Sequence, residues 1–114
     1  MGPAVYYITT TGVRTLNWIK SEYPNGITIY EATMQEELLC PAGWNLSENY
    51  FKLPIVHNAF KDIVVCNASC VDSAVQVSMD VLNASDTARV QWVNHYNQDL
   101  TKQINYTLSI IQYA

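Results

Sequence analysis

Few side chains in this sequence combine in a way that supports covalent chemistry. Nucleophilic catalysis needs a base beside the nucleophile, and the chain offers two histidines, His57 and His95. His57 follows Pro54-Ile55-Val56 at a strand end and precedes a turn-like Asn58, the usual setting of a structural histidine. There is no Gly-x-Ser-x-Gly elbow, no glycine-rich phosphate loop and no His-Glu-x-x-His, and four glycines leave little backbone to wrap a nucleotide. Cys40, Cys66, Cys70 and His57 are of types that hold zinc, but their spacing matches no finger or ribbon. A glycosidase needs two carboxylates flanking a cleft. Glu36-Glu37, Asp72, Asp80, Asp86 and Asp99 are candidates of a kind that any β domain supplies. The sequence therefore predicts no enzyme, no catalytic residue, no metal site and no cofactor.

What remains is recognition. Aromatic rings cover the apolar face of a sugar, Asn, Asp, His and Tyr bond its hydroxyls, and loops on a rigid scaffold present both. Two clusters fit. Trp92-Val93-Asn94-His95-Tyr96-Asn97-Gln98-Asp99 runs from a strand into a loop, and Trp44-Asn45 lies in the middle of the chain. Trp92 shares an apolar face with Val90 and is read as core. The expected ligand-binding set is Trp44, Asn94, His95, Tyr96, Asn97 and Asp99, on a surface that would serve a ligand or a subunit interface.

Composition narrows the class. The chain is one domain by length, 49% apolar but only 14% charged, where roughly 25% is usual. Its surface must be dressed with Asn, Gln, Ser, Thr and Tyr, including ten Asn and eight Tyr, or be covered by other chains. Net charge is −4, and the six basic residues are scattered, so neither nucleic acid nor an anionic membrane surface is an expected partner. No apolar run is long enough to span a membrane. The start, Met1-Gly2-Pro3-Ala4-Val5-Tyr6-Tyr7, lacks the basic opening and apolar centre of a signal peptide and reads as a fragment of something longer.

Three cysteines, an odd count, argue against a disulfide framework, and free thiols in a reducing cytosol are expected. Under oxidation, Cys66 and Cys70 would be the pair, because Asn67-Ala68-Ser69 between them resembles a turn. Four glycosylation triplets begin at Asn45, Asn67, Asn83 and Asn105. They would matter in a secreted domain.

The elements that must carry these residues are strands. Period-two alternation runs through Ala74–Leu82, Ala88–Tyr96 and Ile104–Tyr113, each with one apolar and one wet face. Val5–Thr9, Leu16–Lys20, Ile27–Glu31, Phe51–Val56 and Asp62–Cys66 are less regular strands. Pro24-Asn25-Gly26, Asn83-Ala84-Ser85-Asp86 and Asn97–Lys102 are the links with turn chemistry. Pro54 marks an edge strand or a bulge. Glu31–Leu39 is the one stretch with room for a helical turn, and Thr33–Asn49 is the one extended loop. Six to eight short strands at this spacing predict an all-β, antiparallel β-sandwich.

Three stretches, in order, resemble the C-terminal tip domain of phage and prophage tail fibres. Trp18-Ile19-Lys20 leads to Tyr23-Pro24-Asn25-Gly26-Ile27-Thr28-Ile29-Tyr30. Leu53-Pro54-Ile55-Val56-His57-Asn58-Ala59-Phe60 then leads into Ile63-Val64-Val65. Tyr106-Thr107-Leu108-Ser109-Ile110-Ile111-Gln112-Tyr113-Ala114 closes the chain. Tyr30-Glu31-Ala32 stands where that family often has Gln-Trp-Gly, and neither the cysteines nor the long middle stretch belongs to its pattern. The resemblance implies residues 1–16 as the end of a shaft or linker with a first strand, and 17–114 as an H-type-lectin-like sandwich. It further implies a homotrimer in a virion tail fibre, made in the bacterial cytoplasm, with bacterial surface polysaccharide such as lipopolysaccharide as partner. A fibre-assembly chaperone is a further implied partner. Asn94-His95-Tyr96-Asn97 stands where H-type lectins carry a Trp-His-Asn sugar-binding patch before the last strand. The competing readings are a secreted H-type-like lectin and a trimerising fibre domain that binds nothing.

Overall fold

Alternation that is clean in the sequence is carried directly into the computed structural model, which describes residues 13–113. In β7 (Thr87–Asn94) every second residue, Ala88, Val90, Trp92 and Asn94, is buried. In β8 (Leu100–Gln112), Ile104, Tyr106, Leu108 and Ile110 are buried in turn. With β1 (Val13–Thr15), β2 (Ile19–Glu22), β3 (Thr28–Cys40), β4 (Leu46–Lys52), β5 (Asp62–Cys70) and β6 (Val75–Val81) they make eight strands and no helix among the described residues. The fold is the all-β sandwich that the sequence predicts. The strand expected at Val5–Thr9 lies outside the described residues.

One sheet has the order β1-β4-β7-β6 and the other β2-β3-β8-β5. All neighbours are antiparallel except β1 and β4, which pair in parallel from Val13↔Tyr50 to Thr15↔Lys52. Inward residues from both sheets close the core. Phe51 meets Tyr106 edge to face at 4.9 Å, and Trp92, Val90, Ile104, Leu108 and Ile110 fill the rest. Leu16, between β1 and β2, is buried with them. The result is a slender body of 53 × 23 × 22 Å.

Four expectations need correction. Glu31–Leu39 has no helical turn: it is the centre of β3, paired with β8 over its whole length from Thr28↔Gln112 to Cys40↔Leu100. The extended loop expected at Thr33–Asn49 shrinks to residues 41–45. A charged residue in a core-facing slot hid the strand. Ala32, Leu38 and Cys40 are buried, and Glu36 shares their face, where it pairs with Arg14 and accepts a 2.7 Å bond from the Tyr106 hydroxyl. β4 begins and ends earlier than Phe51–Val56, because Ser47 and Asn49 are buried polar residues at its inward positions. Pro54 falls beyond its end. Cys66 and Cys70 do not bracket a turn. They lie four positions apart on one face of β5, roughly 13 Å along a strand and far beyond disulfide reach. All three thiols are free.

The Pro24-Asn25-Gly26 reversal forms as its residue types require. Gly26 takes a positive φ of 85°, its amide donates to the Tyr23 carbonyl at 3.0 Å, and the Asn25 side chain accepts from Ile27 at 3.2 Å. This turn lies at one end of the body, with residues 53–61 and 82–86. The loops at the other end are 41–45, 71–74 and 95–99.

Candidate functional site

β3 ends at Cys40 and β7 ends at Asn94, and the loops that follow them are sewn together. The Gly43 amide donates to the Tyr96 carbonyl and the Trp44 amide to the Asn94 carbonyl, both at 3.1 Å. Asp99 Oδ1 accepts from the Ala42 amide at 2.8 Å, and Asn45 Nδ2 donates to the Ala42 carbonyl at 2.8 Å. Trp44 is thereby fixed with φ at 69°. A bulky residue in the left-handed region costs on the order of 1–3 kcal/mol, and such strain persists where the surroundings enforce it.

The consequence is a short aromatic ridge. Trp44 and His95 meet edge to face with ring centroids 3.9 Å apart, while Trp44 stays 38% and Tyr96 49% exposed. His95 Nε2 lies 3.1 Å from Gln76 Oε1 on β6, and the His95 amide donates to the Ala74 carbonyl at 2.8 Å. Asn97, Gln98 and Asp99 continue the same loop in solvent. Trp44, His95, Tyr96, Asn97 and Asp99 thus share one end of the sandwich, although Trp44 is far from the others in sequence.

Asn94 belongs to the site in another way than its residue type suggests. It is completely buried. Its Nδ2 donates to the Cys40 carbonyl at 2.9 Å and to the Gln98 carbonyl at 2.8 Å, and its Oδ1 accepts from the Tyr96 amide at 2.8 Å. No face of it is left for a ligand, so Asn94 is corrected from a ligand-contacting residue to a positioning one. It ties the end of β3 to both sides of the 95–99 loop. Trp92, read as core, is core, and its indole nitrogen donates to the Leu39 carbonyl at 3.1 Å.

Sequence reasoning missed two contributors. Gln76 is an outward residue of β6, and nothing in its local pattern marks it as a neighbour of His95. Gly43 is recognisable only afterwards, by its positive φ of 84°. The same end of the molecule also holds an open hollow of about 580 Å³ lined by Gln35, Cys70, Asp72, Lys102, Gln103 and Asn105, among others. Neither Trp44 nor His95 lines it. There the Lys102 ammonium sits 3.0 Å from an Asp72 carboxylate oxygen. The Ala74 amide first, and Lys102 second, hold the Asp72 carboxyl below its ordinary range.

The second histidine sits at the opposite end. His57 Nδ1 pairs with Asp62, which is buried and also accepts from the Asn58 amide at 2.9 Å. The pair braces residues 54–60 against β5. Ser85, whose carbonyl accepts from the His57 amide at 2.8 Å, spends its Oγ on Thr87. Among the described residues no three His, Cys, Asp or Glu side chains gather in a metal-binding group. The four residues weighed for zinc are split, Cys40 at the Trp44 end and His57 at the other.

No family model matches the chain, and no curated protein does. Among solved structures it is similar to a C-terminal fragment, residues 323–701, of the R1 pyocin fibre of P. aeruginosa, with 17% identity and a TM-score of 0.47. That match covers 87% of this chain, which spans 29% of the neighbour.

Proposed function

We propose that this chain is a receptor-binding tip domain of a phage-type tail fibre, recognising a bacterial surface glycan such as lipopolysaccharide and working as a homotrimer. The observation that carries the reading is the Trp44–His95 pair. A strained, half-exposed tryptophan is held against an imidazole, beside an exposed Tyr96 and the polar tips of Asn97 and Asp99. Stacking surface next to hydrogen-bonding groups is what a pyranose ring requires. The order of the three tail-fibre-like sequence stretches supports the same reading. Three weak sites on one tip would gain avidity that a single site lacks.

Binding rather than catalysis suits these residues, since nothing on the ridge pairs a nucleophile with a base. The secreted-lectin alternative loses support from Cys66 and Cys70, which cannot pair, and from Asn45, whose amide nitrogen is committed to a backbone carbonyl.

The test is an array of bacterial polysaccharides and lipopolysaccharides probed with the wild-type chain and with Trp44→Ala, His95→Ala and Tyr96→Ala. The reading expects defined glycans to be retained by the wild type, with about tenfold or greater loss for each variant. A folded wild-type chain that retains none of them contradicts it.

A further inference from the structure

The outward faces of the two sheets differ in a way that core packing does not require. On β4, β7 and β6 the outward face is a charge network. Arg89 grips Asp80 through Nε and Nη2 at 3.0 and 2.8 Å, and Gln91 and Tyr50 both bond Glu48, at 2.7 and 2.6 Å. On β5 and β8 the outward positions are residues 63, 65, 67 and 69 and the odd positions from 101 to 111. They hold no charged side chain, whereas the neighbouring β3 carries Glu31 and Glu37 outward, opposite Ser109 and Gln103, so the neutral region is confined to β5 and β8.

Toward the end away from Trp44 this neutral face becomes aliphatic. Ile29, Ile111 and Ile63 stand in one row across β3, β8 and β5. Ile63 is 47% exposed, Val65 on the same face of β5 is 59% exposed, and Phe60, just before β5, is 95% exposed. Tyr113 joins them, its amide bonded to the Lys61 carbonyl at 3.0 Å. Single exposed apolar residues are ordinary, but a contiguous patch marks a contact surface.

We propose that this face is where copies of the chain meet. It rests on the several-copies part of the function proposed above and is independent of the glycan part. Charge favours a second copy as occupant. Each chain carries −4, so like copies close most cheaply through a face free of charge, and β5 and β8 supply it. With contact at the Phe60 end, the Trp44 ridges stay free at the other.

The experiment measures molar mass in solution, from about 1 to about 100 μM chain, for the wild type, Val65→Asp, Phe60→Ser and Ser78→Asp. Ser78 lies on the outward face of the other sheet. The wild type and Ser78→Asp are expected to be multimeric, and Val65→Asp and Phe60→Ser to associate at least about tenfold more weakly with unchanged circular dichroism. Phe60 is almost wholly in solvent, so its variant decides the matter even if Val65→Asp misfolds. A monomeric wild type, or assembly indifferent to Phe60→Ser, overturns the proposal. Binding of a single-site oligosaccharide to the same samples is read separately, so failure of assembly and failure of glycan recognition are distinguishable.

Discussion

Removing the Asn94 side chain should cost far more than a loop substitution ordinarily does. Asn94→Ala deletes three hydrogen bonds of 2.8–2.9 Å around a fully buried amide. The Gln98 carbonyl and Tyr96 amide sit in an exposed loop, where water replaces the lost partner at about 0.5–1 kcal/mol each. The Cys40 carbonyl belongs to a completely buried residue, and leaving it unpaired costs about 1–3 kcal/mol. Together these give about 2–5 kcal/mol, a sizeable part of the 5–15 kcal/mol by which a typical domain is stable. In urea, with a slope of about 1–3 kcal/mol/M, the midpoint should fall by about 1 M or more. Unfolding followed by tryptophan fluorescence reads this directly. Glycan affinity should fall as well, because the 95–99 loop loses its anchor and Trp44 the carbonyl geometry that holds its strained backbone. A midpoint shift below about 0.3 M would refute the positioning role.

Three further outcomes follow from other parts of the molecule. Ser47 Oγ is buried with no hydrogen-bond partner among the described residues, so Ser47→Ala should be neutral or stabilising by up to about 1–2 kcal/mol, seen as an unchanged or raised melting temperature. The Asp72 carboxyl is held below its ordinary range in the folded chain. Its stabilising contribution is therefore present above the unfolded value and lost as pH falls through the folded one. The urea midpoints of wild type and Asp72→Asn should differ at about pH 6 and converge in strong acid, and a gap that widens in acid would reverse the sign. Burial pushes the Cys40 thiol up to about 11 and raises Cys66 for the same reason. At about pH 8 only on the order of one Cys40 in a thousand is then thiolate, and alkylation followed by mass spectrometry should modify it only after denaturation.

The architecture was legible wherever each strand had one apolar face. Val90, Trp92, Ile104, Tyr106 and Leu108 announce β7 and β8 because nothing polar interrupts the alternation over Ala88–Trp92 or Ile104–Ile110. β3 and β4 were obscured for a physical reason. Their inward slots hold Glu36, Ser47 and Asn49, which are buried among polar partners or simply hidden, and period-two reading treats such residues as surface. The site was half visible. Residue types identified Trp44 and the 94–99 stretch, but only the pairing of β4 with β7 brings the two loops together. Asn94 shows the converse limit, since its type suggested a sugar contact where three backbone bonds give it a positioning role. Gln76 became a neighbour of His95 through the register of β6, which no local pattern encodes.

The most direct measurement is the amide spectrum of the isotope-labelled chain titrated with a bacterial oligosaccharide selected on the array. Recognition through the aromatic ridge predicts that the Trp44 indole and the amides of residues 43–45 and 95–99 shift in a saturable manner, while the outward amides of β5 and β8 stay still. Saturable shifts confined to another surface, with Trp44, His95 and Tyr96 unmoved, would contradict it.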